Sequence, residues 1–167
     1  MIEIRFADNN DTVPIADVLY EAFGVYEDEY TPEAFEIVTP SADEIISRFD
    51  EGPQWVAVKD GVIVGTVSVT VEDGDLYVRS MAVKPVMQGH GIGHKLLEAI
   101  DAYAKGTEHA RIFLYTTYFS AGAKELYEKH GYVWVRDTTA EEWYGVPGLE
   151  MEKKVVKTWC ISDPMIF

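Results

Sequence analysis

The chain has 167 residues and a mass of 18.8 kDa, which bounds it to one domain with a closed core. Hydrophobic residues make up 47% and charged residues 26%, the balance of a globular protein, and no apolar run reaches the roughly 20 residues that would span a bilayer. A formal charge of −15 excludes nucleic-acid binding through phosphates, which needs clustered Lys and Arg.

Ile2, Ile4 and Phe6 alternate with Glu3 and Arg5, so the chain opens on a strand. Asp11 is placed as a helix N-cap with Pro14 in the first turn, and Ile15, Val18, Leu19, Ala22 and Phe23 follow at helical spacing as far as Gly24. Residues 24–40 are acidic, aromatic and interrupted by Pro32 and Pro40; they read as a loop or a broken helix. Ser41-Ala42-Asp43-Glu44 is a capping-box start, with Ile45, Ile46 and Phe49 as the apolar face of a short helix. Strands at 54–59 and 62–71 flank the hairpin signal Asp60-Gly61, and a third, 76–83, follows Glu72-Asp73-Gly74-Asp75. Period-two alternation places Tyr77, Arg79, Met81 and Val83 on one face of that strand. A helix over 91–105, a strand over 111–117, a helix over 121–130 and strands over 132–136 and 149–156 complete the order. The pattern is β-α-α-β-β-β-α-β-α-β-β: an α/β (α+β mixed) domain over 1–156, in which an antiparallel meander feeds a βαβ unit and one mixed sheet of about seven strands carries helices on both faces.

The tail, 157–167, is too apolar for a free end; Trp159, Met165, Ile166 and Phe167 call for packing on the domain or on a partner chain in a homodimer. One cysteine, Cys160, and four scattered histidines leave no internal disulfide and no structural zinc site. The start lacks a signal-peptide layout, so the expected location is cytoplasmic, with no membrane partner. Residues 1–53 hold 14 of the 29 acidic residues against only Arg5 and Arg48. Such asymmetry serves solubility or draws cations to one end of the molecule.

Chemistry concentrates in Gln88-Gly89-His90-Gly91-Ile92-Gly93-His94, between a strand and a helix. The first N–H groups of a helix lack internal partners and the dipole adds positive potential, so such a junction binds anions. Gly89, Gly91 and Gly93 let the backbone approach a phosphate and take positive φ where the turn needs it, and His94 and Lys95 can add charge. Three phosphate motifs compete. The pattern GxxxxGK[ST] started at Gly89 requires glycine at 94 and a hydroxyl at 96, where the chain has His94 and Leu96. The pattern GxGxxG started at Gly89 also meets His94 at its last glycine. The pattern [Arg/Gln]-x-x-Gly-x-[Gly/Ala] matches at Gln88, Gly91 and Gly93.

On these residues, the run from Met81 to Leu97 resembles the acetyl-CoA signature of the GNAT N-acetyltransferase superfamily. A second likeness is Ser120-Ala121-Gly122-Ala123-Lys124-Glu125-Leu126-Tyr127, followed by Gly131-Tyr132, against the family's Asn-x-x-Ala-x-x-x-Tyr; Ser120 stands where the family has Asn. The resemblance implies the GNAT fold, with a gap between the fourth and fifth strands for the pantetheine arm. Main-chain groups of Met81, Ala82 and Val83 would pair with pantetheine, and Gln88, Gly89, His90, Gly91, Ile92, Gly93 and His94 would hold the pyrophosphate. Ser120 would keep a pantetheine contact, and small Ala123 would leave room for the arm. It implies Tyr127 as general acid for the departing thiolate and a backbone N–H near Met81 as oxyanion donor. The expected activity is acetyl transfer from acetyl-CoA to a primary amine, without a metal. A non-catalytic acyl-CoA sensor of the same fold is the alternative.

No carboxylate shares a face with Met81, so the general base has no clear candidate; Glu21 and the acids at 27–29 are placed to relay a proton through water. Arg79 either anchors a substrate carboxylate or pairs with the acidic N-terminal segment. Trp143 lies in a loop that borders the acceptor pocket in the family, as a substrate wall or as packing for the tail. Tyr26 and Tyr30, among Glu27, Asp28 and Glu29, form the opposite wall. Aromatic faces beside carboxylates suit a cation, so the expected acceptor is a cationic small molecule or peptide amine.

Overall fold

A computed structural model describes residues 1–157, so the tail expected to pack on the domain or a partner lies outside the described residues beyond Lys157. Seven strands form one mixed sheet: β1 (Ile2–Phe6), β2 (Gln54–Lys59), β3 (Val62–Glu72), β4 (Asp75–Val83), β5 (Arg111–Thr116), β6 (Val133–Thr138) and β7 (Gly148–Lys154), in the order β1-β2-β3-β4-β5-β7-β6. Only β4 and β5 pair in parallel, joined by helix α4 (Ile92–Lys105); the other pairs are antiparallel. The two hairpin turns of the meander use Asp60-Gly61 and Asp73-Gly74, all four at positive φ, which matches the twist of the flanking strands.

The sheet separates two cores. Helix α4 and helix α5 (Ala123–Lys129) cover one face, where Ile92, Leu96, Leu97, Ile100 and Tyr127 pack on Trp55, Val67, Val69, Leu76, Val78, Ile112 and Leu114. Helix α1 (Thr12–Gly24) and helix α3 (Ala42–Arg48) cover the other, with Ile15, Val18, Leu19 and Ile45 on Val56, Ile63 and Ala82. Each fully buried aliphatic side chain contributes about 1.5–3 kcal/mol, and interlayer burial is the main stabilising term. No helix among the described residues is long and apolar enough to cross a membrane.

The N-terminal third departs from the sequence reading in three places. Asp11 precedes α1 but makes no cap bond; Asp8 caps a 3₁₀ turn over Asn9–Asp11 instead. The Asp11 carboxylate is spent on Arg5, at 2.8 and 3.0 Å, and on the Asp8 backbone N–H at 2.8 Å. The Arg5 guanidinium, ahead of that N–H, holds the Asp11 carboxyl below the usual range, and the pair ties β1 to the start of α1. The segment 24–40 is the broken-helix alternative, with a 3₁₀ turn at Glu27–Glu29 and helix α2 at Pro32–Val38, whose Ala34 N–H donates to its N-cap, Thr31. The Ser41–Glu44 capping box forms as expected, but the inner face of α3 is Ile45, Arg48 and Phe49, while Ile46 is 46% exposed. The spacing 45-48-49 is the helical repeat, which brings an arginine to the sheet.

Candidate functional site

Strand β4 pairs with β5 only through Leu76–Ile112, Tyr77–Phe113 and Val78–Leu114. Beyond Val78 its β5-facing edge has no strand partner, and the two strands enclose a cleft. The divergence begins at a bulge. Thr66 faces Ala82 and Ser68 faces Arg79, so β4 carries one residue more than β3 in this interval. Ser80 takes up the excess at φ 56°, a left-handed conformation that costs a non-glycine residue about 1–2 kcal/mol. Backbone strain of this kind gathers at functional sites.

The bulge also corrects the expectation that Tyr77, Arg79, Met81 and Val83 share a face. Tyr77 and Arg79 lie on the α1–α3 side, where Tyr77 stacks on Phe113 at 5.1 Å and Arg79 pairs with Glu51. Met81 and Val83 pack against the α4 core, and Ala82 is buried in the opposite one. One extra residue exchanges every later side chain between faces. The cleft therefore opens to both sides of the sheet, as a continuous cavity of about 820 Å³.

At its α4 end the cavity is lined by Met81, Ala82, Val83, Gln88, Gly89, Gly91, Ile92, Gly93 and His94. The three glycines serve two purposes. Gly89 and Gly91 adopt φ of 85° and 77°, and Gly91 is the left-handed N-cap of α4, so the loop curls at the head of the helix with no side chain of its own at either position. Gly93 is helical; a Cβ there would lie 2.8 Å from Leu126 and 3.3 Å from Met81, so its role is close packing of α4 on α5. Ile92 is a core residue that anchors the first turn. His90 is outside the cavity lining, with its ring Nδ1 3.1 Å from the carbonyl oxygen of Met87. His94 lines the cavity, and its ring centre lies 5.9 Å from that of His130.

Helix α5 forms the wall across from β4. Tyr127, 7% exposed, and Ala123 line the cavity one turn apart. Burial, and then the neighbouring Tyr77, push the Tyr127 phenol above its usual range, so the hydroxyl stays protonated at neutral pH. Ser120 also lines the cavity, but its hydroxyl is 2.6 Å from that of Thr117.

The broken helix closes the α1–α3 side. The Tyr26 hydroxyl accepts from the Ala121 N–H at 3.0 Å, and Thr31 donates to the Tyr144 carbonyl at 2.6 Å, so residues 24–40 are tied to both the turn before α5 and the loop before β7. Tyr30 packs edge-on against Phe119 and Trp143, at 5.0 and 6.4 Å, and burial raises its phenol to about 12. Tyr26, Tyr30 and Trp143 thus meet on one wall, with Phe23, Ile37 and Val38 completing an apolar surface.

The charges fall otherwise than the sequence suggested. Glu21, Glu27, Asp28 and Glu29 are exposed and none lines the cavity. Glu142 is the one acidic residue on the wall among those described, and Arg136 holds it at 2.7 Å. Arg79 lines the cavity and also pairs with Glu51 at 2.5 Å, so it meets the acidic N-terminal segment while facing the cleft. Arg48 and Ser80 line it too, joined by a 2.9 Å bond from the Arg48 guanidinium to the Ser80 hydroxyl. Sequence reasoning missed both; the available signal for Arg48 was its register with Ile45 and Phe49. No group of three or more potential metal ligands occurs among the described residues.

Comparison with known proteins agrees with this geometry. A model of the acetyltransferase (GNAT) family matches residues 17–132. N-acetylaspartate synthetase of Rattus norvegicus is 31% identical over 99 residues, which are 58% of this chain and 32% of that protein. Amino-acid acetyltransferase of Mycobacterium tuberculosis is 33% identical over 93 residues, 52% of this chain and 51% of that one. The chain thus matches between a third and about half of the length of these relatives. Among solved structures, PaiA N-acetyltransferase from Thermoplasma acidophilum, in complex with coenzyme A, has a TM-score of 0.77 at 22% identity, covering 92% of this chain and 99% of that chain. The ribosomal-protein-S18-alanine N-acetyltransferase of Escherichia coli has a TM-score of 0.74 at 16% identity, covering 97% and 98%. Those two likenesses speak for the fold, and the family model covers more than half of the chain: it belongs to the GNAT acetyltransferase family.

Proposed function

We propose that residues 1–156 form one acetyltransferase domain that moves an acetyl group from acetyl-CoA to a primary amine by direct attack in a ternary complex. The observation that carries this reading is the single cavity that joins a glycine anion loop, an unpaired strand edge and a buried tyrosine. The residues fit the donor: Gly89 and Gly91 leave the loop's N–H groups clear for a pyrophosphate, and the open edge of β4 beside Met81 and Val83 offers main-chain partners for an amide-bearing arm. Ala82 would take part through its backbone, since its side chain is in the core. Ala123 leaves space beside the arm, and Ser120, already paired with Thr117, offers its second lone pair. Relatives and neighbours named as acetyltransferases, and a neighbour solved with coenzyme A, support the same donor.

In the transfer, the amine nitrogen bonds to the thioester carbonyl carbon and the C–S bond breaks. The Tyr127 hydroxyl gives its proton to the departing sulfur, and the proton released by the nitrogen returns to the tyrosine oxygen through water. A backbone N–H near Met81 would stabilise the oxygen on which negative charge develops. The hydrogen bond from the Thr139 N–H, followed by the pairing with Arg136, lowers the Glu142 carboxyl, which makes it a poor base. The acceptor must therefore lose its proton to solvent. The exposed positions of Glu21 and the acids at 27–29 remove the carboxylate half of the support for a cationic acceptor, while the aromatic wall of Tyr26, Tyr30 and Trp143 stands.

Titration of amines against acetyl-CoA with detection of free thiol tests the reading. Amine-dependent thiol release is expected, with kcat/KM rising with pH up to the acceptor's own pKa and no falling limb below about pH 10, because the Tyr127 phenol is raised rather than lowered. Tight CoA binding with no release by any amine would favour the sensor alternative.

A further inference from the structure

The α1–α3 side of the cavity holds a feature that acetyl transfer does not use. Arg48, from the last turn of α3, and Arg79, from β4 just before the bulge, both line the wall. Arg48 donates to Ser80 at 2.9 Å and forms no ion pair with any described residue. Arg79 places one guanidinium nitrogen on Glu51 at 2.5 Å, while its buried Nε–H has no partner. Glu51 is thus in contact with Arg79 alone, and the Arg48 guanidinium stands beside a largely apolar wall with no carboxylate in contact with it. Burial, followed by the proximity of Arg79, disfavours the charged form of Arg48, and nearby acids only partly offset this. A partly buried cation with no counter-charge is costly unless an anion joins it.

We infer that Arg48 and Arg79, with Ser80 between them, bind a carboxylate of the acceptor, so that the preferred acceptor is an amino acid or another small amine that carries a carboxylate. This rests on the acetyltransferase reading of the same cavity. Guanidinium groups present paired N–H donors that match a carboxylate's two oxygens, and the unpaired guanidinium of Arg48 calls for an anion. The strained backbone at Ser80 sets this subsite one residue from Met81, so a carboxylate held there brings an amine on the adjacent carbon toward the open edge of β4. The residue was invisible as a site component in sequence because the bulge brings Arg48, 32 positions away, onto Ser80.

The test compares leucine and phenylalanine with 3-methylbutylamine and 2-phenylethylamine, which have the same side chains and no carboxylate, and with spermidine. Each is measured as a substrate and as a ligand that raises the thermal midpoint of the CoA-bound protein. The amino acids are expected to exceed the carboxylate-free amines by about 10- to 100-fold in kcat/KM, the scale of one charge-assisted contact. In Arg48→Gln that ratio should collapse toward one, and in Arg48→Lys it should fall partway; retained stabilisation by CoA marks each variant as folded. Equal or better use of the carboxylate-free amines, a preference for spermidine, or an unchanged ratio in both Arg48 variants would overturn the inference while leaving acetyl transfer standing. Should no amine be acetylated, the acetyltransferase reading falls, and the midpoint shifts alone decide whether the carboxylate is bound.

Discussion

Tyr127→Phe should lower kcat by about 10²- to 10³-fold, the usual range for loss of a positioned proton donor, with little change in the KM for acetyl-CoA. The substitution keeps the ring that packs on Tyr132, 5.8 Å between centres, and keeps the place of residue 127 in the α4 core. Only the hydroxyl is removed, and it stands on the cavity wall. Because burial raises this phenol, the wild-type group is a full proton donor throughout the neutral range, and the loss should be nearly constant with pH there. A tyrosine that served only packing would give the opposite pattern: because phenylalanine keeps the ring, both kcat and the midpoint of unfolding would be nearly unchanged. Steady-state kinetics and a thermal melt on the same variant separate the two.

Gly91→Val should raise the KM for acetyl-CoA by about 10²-fold or more. At φ 77° and ψ 11° this residue is left-handed, and a β-branched side chain there is strained by more than the ~1–2 kcal/mol an ordinary residue incurs. Relief of the strain would uncurl the loop and misdirect the N–H groups at the head of α4, each charge-assisted contact contributing about 1.5–3 kcal/mol. Nothing lies within 4 Å of a Cβ built at this position, so packing is not the cause of the loss. Gly93→Val provides the contrast: it pushes on Leu126 and Met81 at the seam between α4 and α5 and should act first on stability. Titration of CoA by calorimetry, beside thermal melts, distinguishes a loop that no longer binds from a domain that no longer packs.

The parts of the molecule that sequence revealed are those governed by local rules. The hairpin at Asp60-Gly61, the capping box at Ser41, the amphipathic face of α4 and the glycine loop each declare themselves within a few residues. The order of elements was legible for the same reason, apart from α2, whose seven residues are too few to display a period between Pro32 and Pro40. What escaped depended on contacts distant in sequence. The alternation from Tyr77 to Val83 looks regular because the bulge at Ser80 inserts a non-glycine residue with no compositional mark. Asp11 looked like a cap, yet Arg5 claims its carboxylate. Arg48 counted as one of two bases in an acidic third, and only the folded sheet sets it against Ser80 and Arg79. The acids at 27–29 illustrate the converse: adjacency to Tyr26 and Tyr30 in sequence placed them at a binding wall, while the 3₁₀ turn directs the tyrosines inward and leaves the carboxylates in solvent.

The most direct test of the central claim is to follow the acetyl group itself. Protein with an excess of acetyl-CoA, first alone and then with a panel of amino acids and simple amines, is analysed by mass spectrometry of both the intact chain and the small molecules. The expected result is an unmodified chain throughout and an N-acetylated amine that accumulates in step with free CoA once the acceptor is added. Acetyl-CoA that remains intact in the presence of every amine would contradict it.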